Sequence, residues 1–368
     1  MNSRLVEKNR EYTIQTTNDI GMGSISSEVF VNGALADATR LPHPEQAQPE
    51  EVLALVKSTH DDKKQEVETL LKSYVQAMEN SNPEMMYHLG LALYYKRFFS
   101  EARDLFASAV TMKDDYHEAH NLLGQAELSL GHPGQAVKAA EAAVTARSGY
   151  ADYRNNLGEA FMAAGELSKA QAEFAKAIDI NLYYSDAYFN YGLALLVEAQ
   201  REDKREVLPN LVTKAIDYFN KAALIYPDYR TAGYERGLQA VKGREVREGF
   251  QLLRAVRQNK KETHGTRYAS YYMKHALHPQ WITERIVQER IEFLQKEISK
   301  NPTYVDLYAE LSRCYLEQSR MLWRKGIDQY RKTLEINPGL DELDAILDSV
   351  EDTYERIDRV VRNISEKG

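Results

Sequence analysis

The chain of 368 residues contains one cysteine, Cys314, so it can build neither an internal disulfide framework nor a Cys-based structural zinc site. Glycine (19) and proline (10) together make up less than a tenth of it, which excludes collagen-like and largely disordered structure. No stretch approaches the roughly 20 apolar residues of a membrane span. The opening MNSRLVEKNR lacks the apolar core of a secretion signal. A net charge of −8 argues against a protein built mainly to wrap nucleic acid. These absences lead to the expectation of a soluble, cytoplasmic protein without direct membrane insertion. What is present is ordinary for a chain with a sizeable core, 43% apolar and 28% charged residues. At about 150 residues per domain, the length alone anticipates two or three globular units. Tyrosine stands out, at 24 against 10 Phe and 2 Trp.

Comparison of the chain with itself replaces that domain count. Gly90, Gly124, Gly158 and Gly192 recur every 34 residues, preceded in step by Leu89, Leu123, Leu157 and Tyr191. Ala102, Ala136 and Ala170 follow the first three glycines, and Ala109, Ala143 and Ala177 come after those. Phe106 and Phe174 fall between the alanines, with Ala140 in the same place in the middle repeat. In this period and register the chain resembles the tetratricopeptide-repeat (TPR) family. Each unit of such a fold is a pair of antiparallel helices, small residues mark close backbone approach, and neighbouring units stack to bury a shared core. Tyrosine suits a thin core of this kind, its ring buried and its hydroxyl at the surface.

The resemblance implies a mainly α fold, a right-handed TPR superhelix (α-solenoid), and suggests a bacterial protein; the residues outside the array add a small N-terminal β-hairpin plus helix module and a C-terminal capping helix. A hairpin segment and linker occupy 1–48 and a leading helix 49–82. The TPR array spans 83–260 as five units, the fourth with a charged insertion around Arg201–Leu211 and the fifth degenerate, keeping Gly237, Gly249 and Val256. An irregular segment and further TPR-like units fill 261–340, with Tyr308, Leu311, Tyr315, Gly326, Tyr330 and Pro338 read as a final repeat. The helix of 341–368 carries Leu343, Ile346, Val350, Ile357, Val360 and Ile364 near heptad positions. It reads as a cap on the last repeat or as a coiled-coil seam for self-association. Near the N-terminus, EYTIQTT (11–17) and SSEVFVNGALAD (26–37) alternate like strands, and Asn32-Gly33 signals a tight hairpin.

Catalytic constellations are sparse. There is no P-loop and no dinucleotide-binding fingerprint, since Gly21-Met22-Gly23 lacks the third glycine. His117 and His120 lack the spacing of a zincin helix and read as ordinary surface histidines. Cys314 reads as a small core residue. The expectation is no enzyme activity, no cofactor and no metal.

What remains is a binding surface. In TPR proteins the first helix of each unit lines the concave groove, and the resemblance assigns the groove positions. They are Tyr87, His88, Leu91, Tyr94 and Tyr95 in the first repeat, then Asn121, Leu122, Gln125 and Leu128 in the second. Asn155, Asn156, Glu159 and Met162 follow in the third, and Phe189, Asn190, Leu193 and Leu196 in the fourth. Such a groove runs from aromatic, through an amide-rich middle able to pair with peptide backbone, to apolar. The Lys and Arg clamp that captures the acidic C-terminus of a chaperone is missing, because Tyr87, Leu91 and Leu122 stand at its positions. Lys242, Arg244, Arg247, Arg254, Arg257, Lys260, Lys261 and Arg267 form a basic stretch interleaved with glutamates, either a solvated helix face or a contact for an acidic partner. The expected function is a protein–protein interaction scaffold or adaptor that binds a partner peptide or helix in the groove and helps assemble a complex. A self-assembling structural protein, or a regulatory subunit contacting an acidic partner through 242–267, is the alternative.

Overall fold

A computed structural model of the chain describes residues 1–42, 48–79, 82–200, 208–260, 283–300, 302, 305–337 and 341–367. It divides into two bodies, Met1–Leu277 and His278–Gly368.

The N-terminal body opens with four strands, β1 (Asn2–Glu7), β2 (Arg10–Asp19), β3 (Ser24–Val31) and β4 (Ala34–Pro42). They form one antiparallel meander in chain order. The hairpin expected at Asn32-Gly33 joins β3 to β4, both turn residues having positive φ (49° and 83°) as a primed turn requires. That hairpin is half of a larger sheet. A second tight turn at Lys8 and Asn9, also at positive φ, joins β1 to β2. Alternation places Tyr12, Ile14 and Thr16 of β2 and Ile25, Ser27 and Val29 of β3 in the interior. There they meet α1 (Pro49–Glu79), whose buried stripe runs through Val56, His60, Lys63, Val67, Leu70, Leu71 and Tyr74.

Helix pairs follow: α2 (Pro83–Tyr95) with α3 (Phe99–Met112), α4 (His117–Ser129) with α5 (Pro133–Ala146), and α6 (Ala151–Ala163) with α7 (Leu167–Ile180). The fourth pair is α8 (Ser185–Ala199) with α9 (Leu208–Ile225), and the fifth is α10 (Ala232–Lys242) with α11, helical over 246–260. Residues 201–207 of the expected insertion lie outside the described residues. Local chemistry sets the starts: Pro83 opens α2, and the Asn82 side chain caps it by accepting from the Met85 N–H at 3.0 Å. The turn inside a pair repeats as well. Backbone bonds of 2.9 Å run from Phe98 to Leu93, His132 to Glu127, Glu166 to Phe161 and Glu245 to Ala240, closing α2, α4, α6 and α10 in the same way.

The glycine column is a packing requirement. A Cβ on Gly90, Gly158 or Gly192 would lie 2.8, 2.5 and 2.8 Å from Phe106, Phe174 and Phe219 of the paired helix. In the second pair Gly124 faces the smaller Ala140. The core is continuous from the sheet through the first pair, where Tyr12, Val67, Leu70, Leu89, Phe98 and Phe106 belong to one cluster. Two buried ionic groups bind the sheet to the helices. Arg10 pairs with Glu101 (2.8 Å) and Asp104 (2.7 Å) of α3. Lys63 and Lys96 both hold Asp37 of β4 and Glu66 of α1. Tyrosine hydroxyls end on carboxylates of the same chain: Tyr12 donates to Glu101 (2.5 Å) and Tyr74 to Asp104 (2.8 Å).

In the C-terminal body α12 (Glu284–Lys300) and α14 (Asp341–Lys367) both pack on α13 (Val305–Ile336). The final repeat expected around Tyr308 to Tyr330 is corrected here, because α13 is one unbroken helix of 32 residues. Among the described residues nothing lies near the missing Cβ of Gly326, so no described partner helix demands a glycine there. Tyr308, Tyr315 and Tyr330 are exposed. Cys314 is buried beside Val287, Ile291 and Leu294. The face of α14 turned to α13 is offset from the heptad reading: Leu347 is buried and Ile346 exposed. Arg320–Asp358 (3.1 Å) and Arg331–Glu351 (2.8 Å) fix the two helices antiparallel. Pro338 and the segment 261–282 lie outside the described residues, as do the side chains of Val360 and Ile364.

Candidate protein-binding groove

The first helices α2, α4, α6 and α8 carry every position assigned to the groove. Tyr87, His88, Tyr95, Asn156 and Glu159 are half-buried, whereas Leu91, Tyr94, Asn121, Gln125, Asn155, Phe189, Asn190 and Leu193 are buried. The expectation that the fourth repeat offers Phe189 and Leu193 to solvent is therefore corrected. Phe189 stacks on Tyr229 at 4.4 Å and packs edge-on against Phe219 at 4.9 Å, inside the core of the fourth and fifth pairs.

At the start of the array the lining is aromatic. The Tyr87 ring lies 5.3 Å from His88 and 5.2 Å from Tyr116, and Tyr95 meets Tyr94 edge-on at 5.7 Å. These contacts hold the rings in fixed orientations while Tyr87, His88 and Tyr95 stay half-accessible.

The amide-rich middle is paired with itself. Asn156 donates to the Asn121 carbonyl across neighbouring repeats at 2.9 Å, and Asn190 donates in the same way to Asn155 at 2.9 Å. Asn190 also donates to Glu159 Oε1 at 2.8 Å. The asparagines thus form a ladder that locks successive first helices in register, and this consumes amide groups that the sequence reading offered to a peptide backbone.

The ladder ends on α11. Arg257 donates from Nε to Asn190 Oδ1 at 3.3 Å, and its Nη2 lies 3.2 Å from both Glu159 Oε1 and Asp186 Oδ2. Lys260 pairs with Asp186 Oδ1, lies 3.3 Å from the Tyr229 hydroxyl, and sits over the Tyr226 and Tyr229 rings at 4.1 and 4.6 Å. Tyr229 in turn donates to Asp186 Oδ1 at 2.6 Å. Burial pushes the Asp186 carboxyl up, but Arg257 and Lys260 outweigh it and hold the group far below the usual carboxylate range. The same two forces resolve differently for the cations. Burial lowers Lys260 on balance, while the carboxylates around Arg257 overcome its desolvation and raise it.

The basic stretch is corrected accordingly. Lys242, Arg244, Arg247 and Arg254 are exposed, but Arg257 and Lys260 turn inward and are neutralised within the chain. Lys261 and Arg267 lie outside the described residues. Asp186, Tyr229, Arg257 and Lys260 were not singled out as one cluster by sequence. The available signal was spacing, since Leu253, Val256, Arg257 and Lys260 share one face of α11.

The two histidines of the second repeat are engaged separately, His117 Nδ1 2.8 Å from the Tyr153 hydroxyl and His120 Nε2 3.0 Å from the Asp114 carbonyl. Among the described residues no group of three His, Cys, Asp or Glu side chains is arranged to hold a metal ion. No helix among them is long and apolar enough to cross a membrane.

No curated protein matches the chain. Among solved structures it is similar to MamA, with 24% identity over 45% of this chain and 92% of that one and a TM-score of 0.37. It is also similar to YrrB, a TPR protein with an unusual peptide-binding site (15% identity, 54% of this chain, 97% of that one, TM-score 0.35). A third is PilF of Pseudomonas aeruginosa, 16% identical over 60% of this chain and 99% of that one, with a TM-score of 0.38. The tetratricopeptide-repeat family matches residues 87–151, 121–182 and 155–230, the segments in which the 34-residue glycine column and the helix pairs coincide. Residues 87–230 of the chain are tetratricopeptide repeats.

Proposed function

We propose that the chain is a non-enzymatic interaction scaffold whose repeats hold a peptide segment or helix of a partner protein, and which helps assemble a multi-protein complex. The reading rests on the aromatic set at the start of the array. Tyr87, His88 and Tyr95 present half-accessible rings on α2, oriented by Tyr94 and Tyr116. Rigid aromatic side chains supply contact area at small entropic cost and dominate interface energies. Further along the array the asparagine ladder keeps α4, α6 and α8 in register, so a partner meets a preorganised surface there.

The test is affinity capture from the native cell lysate with the full chain and with a His88→Ser/Tyr95→Ser variant. Both residues are half-buried, so the variant keeps the melting temperature within a few degrees and loses the captured partner. Undiminished capture of the same partner by the variant moves the binding surface away from α2.

A further inference from the structure

We infer that the concave face of the third and fourth repeats recognises a cationic segment, that α11 fills this place in the isolated chain through Arg257 and Lys260, and that a basic segment of the partner gains the groove by exchanging with it. The inference deepens the scaffold reading and rests on it.

The receptor side of this contact is made of groove residues. Glu159 and Asn190 stand at positions assigned to partner contact, and Asp186 opens α8 one turn before Asn190. Together they offer two carboxylates and an amide carbonyl around one guanidinium. Beside them Tyr226 and Tyr229 form two walls around an ammonium. A carboxylate beside an ammonium pocket walled by two aromatic rings suits Lys or Arg rather than an apolar anchor.

The occupant comes from a second helix, which distinguishes the fifth repeat. In the first three repeats the second helix packs against the first helix of the following repeat, α3 on α4, α5 on α6 and α7 on α8. Helix α11 instead reaches back to α8 and, through Glu159, to α6. Its partner α10 touches α9 only slightly, whereas α8 packs closely on α7. Apolar contact also holds the fifth repeat, since Tyr234, Leu238 and Val241 of α10 and Val246, Leu253 and Val256 of α11 share one buried cluster with Phe189 and Phe219. Separating the repeat returns two carboxylates and two cations to water together. The hydration regained offsets much of the lost attraction, as it does not when only one member of a buried pair is removed. A competing segment that carries apolar residues beside its cations, as 246–260 does at Leu253 and Val256, meets the same contacts.

Exchange is measurable with the chain's own segment as the probe. A synthetic peptide of residues 246–260, VREGFQLLRAVRQNK, is titrated into the full chain and into the full-length Arg257→Ala/Lys260→Ala variant. With the charged contacts of its internal competitor removed, the variant binds the peptide about tenfold more tightly or better than the wild type, since apparent affinity scales with the fraction of open receptor. Peptide carrying the same two alanines, or a receptor that also carries Glu159→Gln and Asp186→Asn, shows that gain abolished. Equal affinity of wild type and variant, or undiminished binding of the alanine peptide, overturns the inference. An Arg257→Gln/Lys260→Gln variant keeps side-chain bulk; loss of cooperative unfolding in both variants makes the contact structural and equally overturns it. Absence of peptide binding alongside partner capture that depends on His88 and Tyr95 sinks the exchange and leaves the scaffold reading intact.

Discussion

Arg257 Nη2 lies 3.2 Å from Glu159 Oε1, a pairing between residues 98 positions apart that ties the fifth repeat to the third. It shows that the first-helix faces are not a uniform open trough. Toward the C-terminal end of the array the polar positions are satisfied within the chain, and toward the N-terminal end half-accessible aromatic rings remain.

The glycine column sets the spacing within each repeat. Gly158→Ala places a methyl group 2.5 Å from Phe174, a separation that requires the ring or the helix to shift. A loss of about 1–3 kcal/mol is expected, measured as a lower urea midpoint at unchanged slope. An unchanged midpoint would mean that α6 and α7 are not packed in this register.

The sheet is anchored to the first repeat by a buried charge. Glu101 is fully buried, and Arg10→Met removes its cationic partner while Tyr12 alone still donates to it. Stranding the carboxylate costs about 3–5 kcal/mol. Hydrogen exchange should show β2 losing protection before α4 does; uniform protection in both elements would show that the sheet is held by apolar contacts alone.

His60 is buried between two hydroxyls, Ser3 Oγ at 2.8 Å and Thr16 Oγ1 at 2.9 Å. Burial lowers its pKa below 6.5, and the positive charges of the Met1 amino group and Lys64 add to the effect against the opposing Asp61. The unfolded chain takes up the proton first as pH falls, so His60 stabilises the fold above its unfolded pKa and that contribution is lost below it. Between about pH 7.5 and about pH 5.5 the wild type should lose more stability than His60→Gln, which does not titrate there. Parallel pH curves for the two proteins would contradict the assignment.

Arg244 occupies the left-handed region at φ 70°, in the turn where the second and third repeats place Gly131 and Gly165. Arg244→Gly relieves that strain and should stabilise the fifth repeat by about 1 kcal/mol. A lower melting temperature would show that the arginine side chain contributes more than its backbone costs.

Much of this was legible in advance because it is local or periodic. The 34-residue period marked Gly90, Gly124 and Gly158 as points of close approach and set Phe106, Ala140 and Phe174 in one column, and the structure places each of these glycines against the member of that column in its own repeat. The hairpin at Asn32-Gly33 was readable from its dipeptide, whereas Lys8-Asn9 turns with the same handedness without a glycine, so β1 was missed. Gly326 misled for the opposite reason. A glycine and flanking tyrosines reproduced the repeat's lettering, but no opposing side chain among the described residues requires a glycine there, and α13 runs through. The Arg257 contacts were hidden by distance along the chain. Nothing local to 246–260 indicates that one arginine on a basic helix finds its carboxylates on α6 and α8.

The central claim is that the repeats bind a partner along their first helices. Hydrogen exchange of the full chain, with and without the captured partner, tests it most directly. The account predicts added protection in α2 and α4, with faster exchange in 246–260 as α11 leaves the groove. Protection confined to the four-stranded sheet or to α12–α14, with α2 and α4 unchanged, would contradict it.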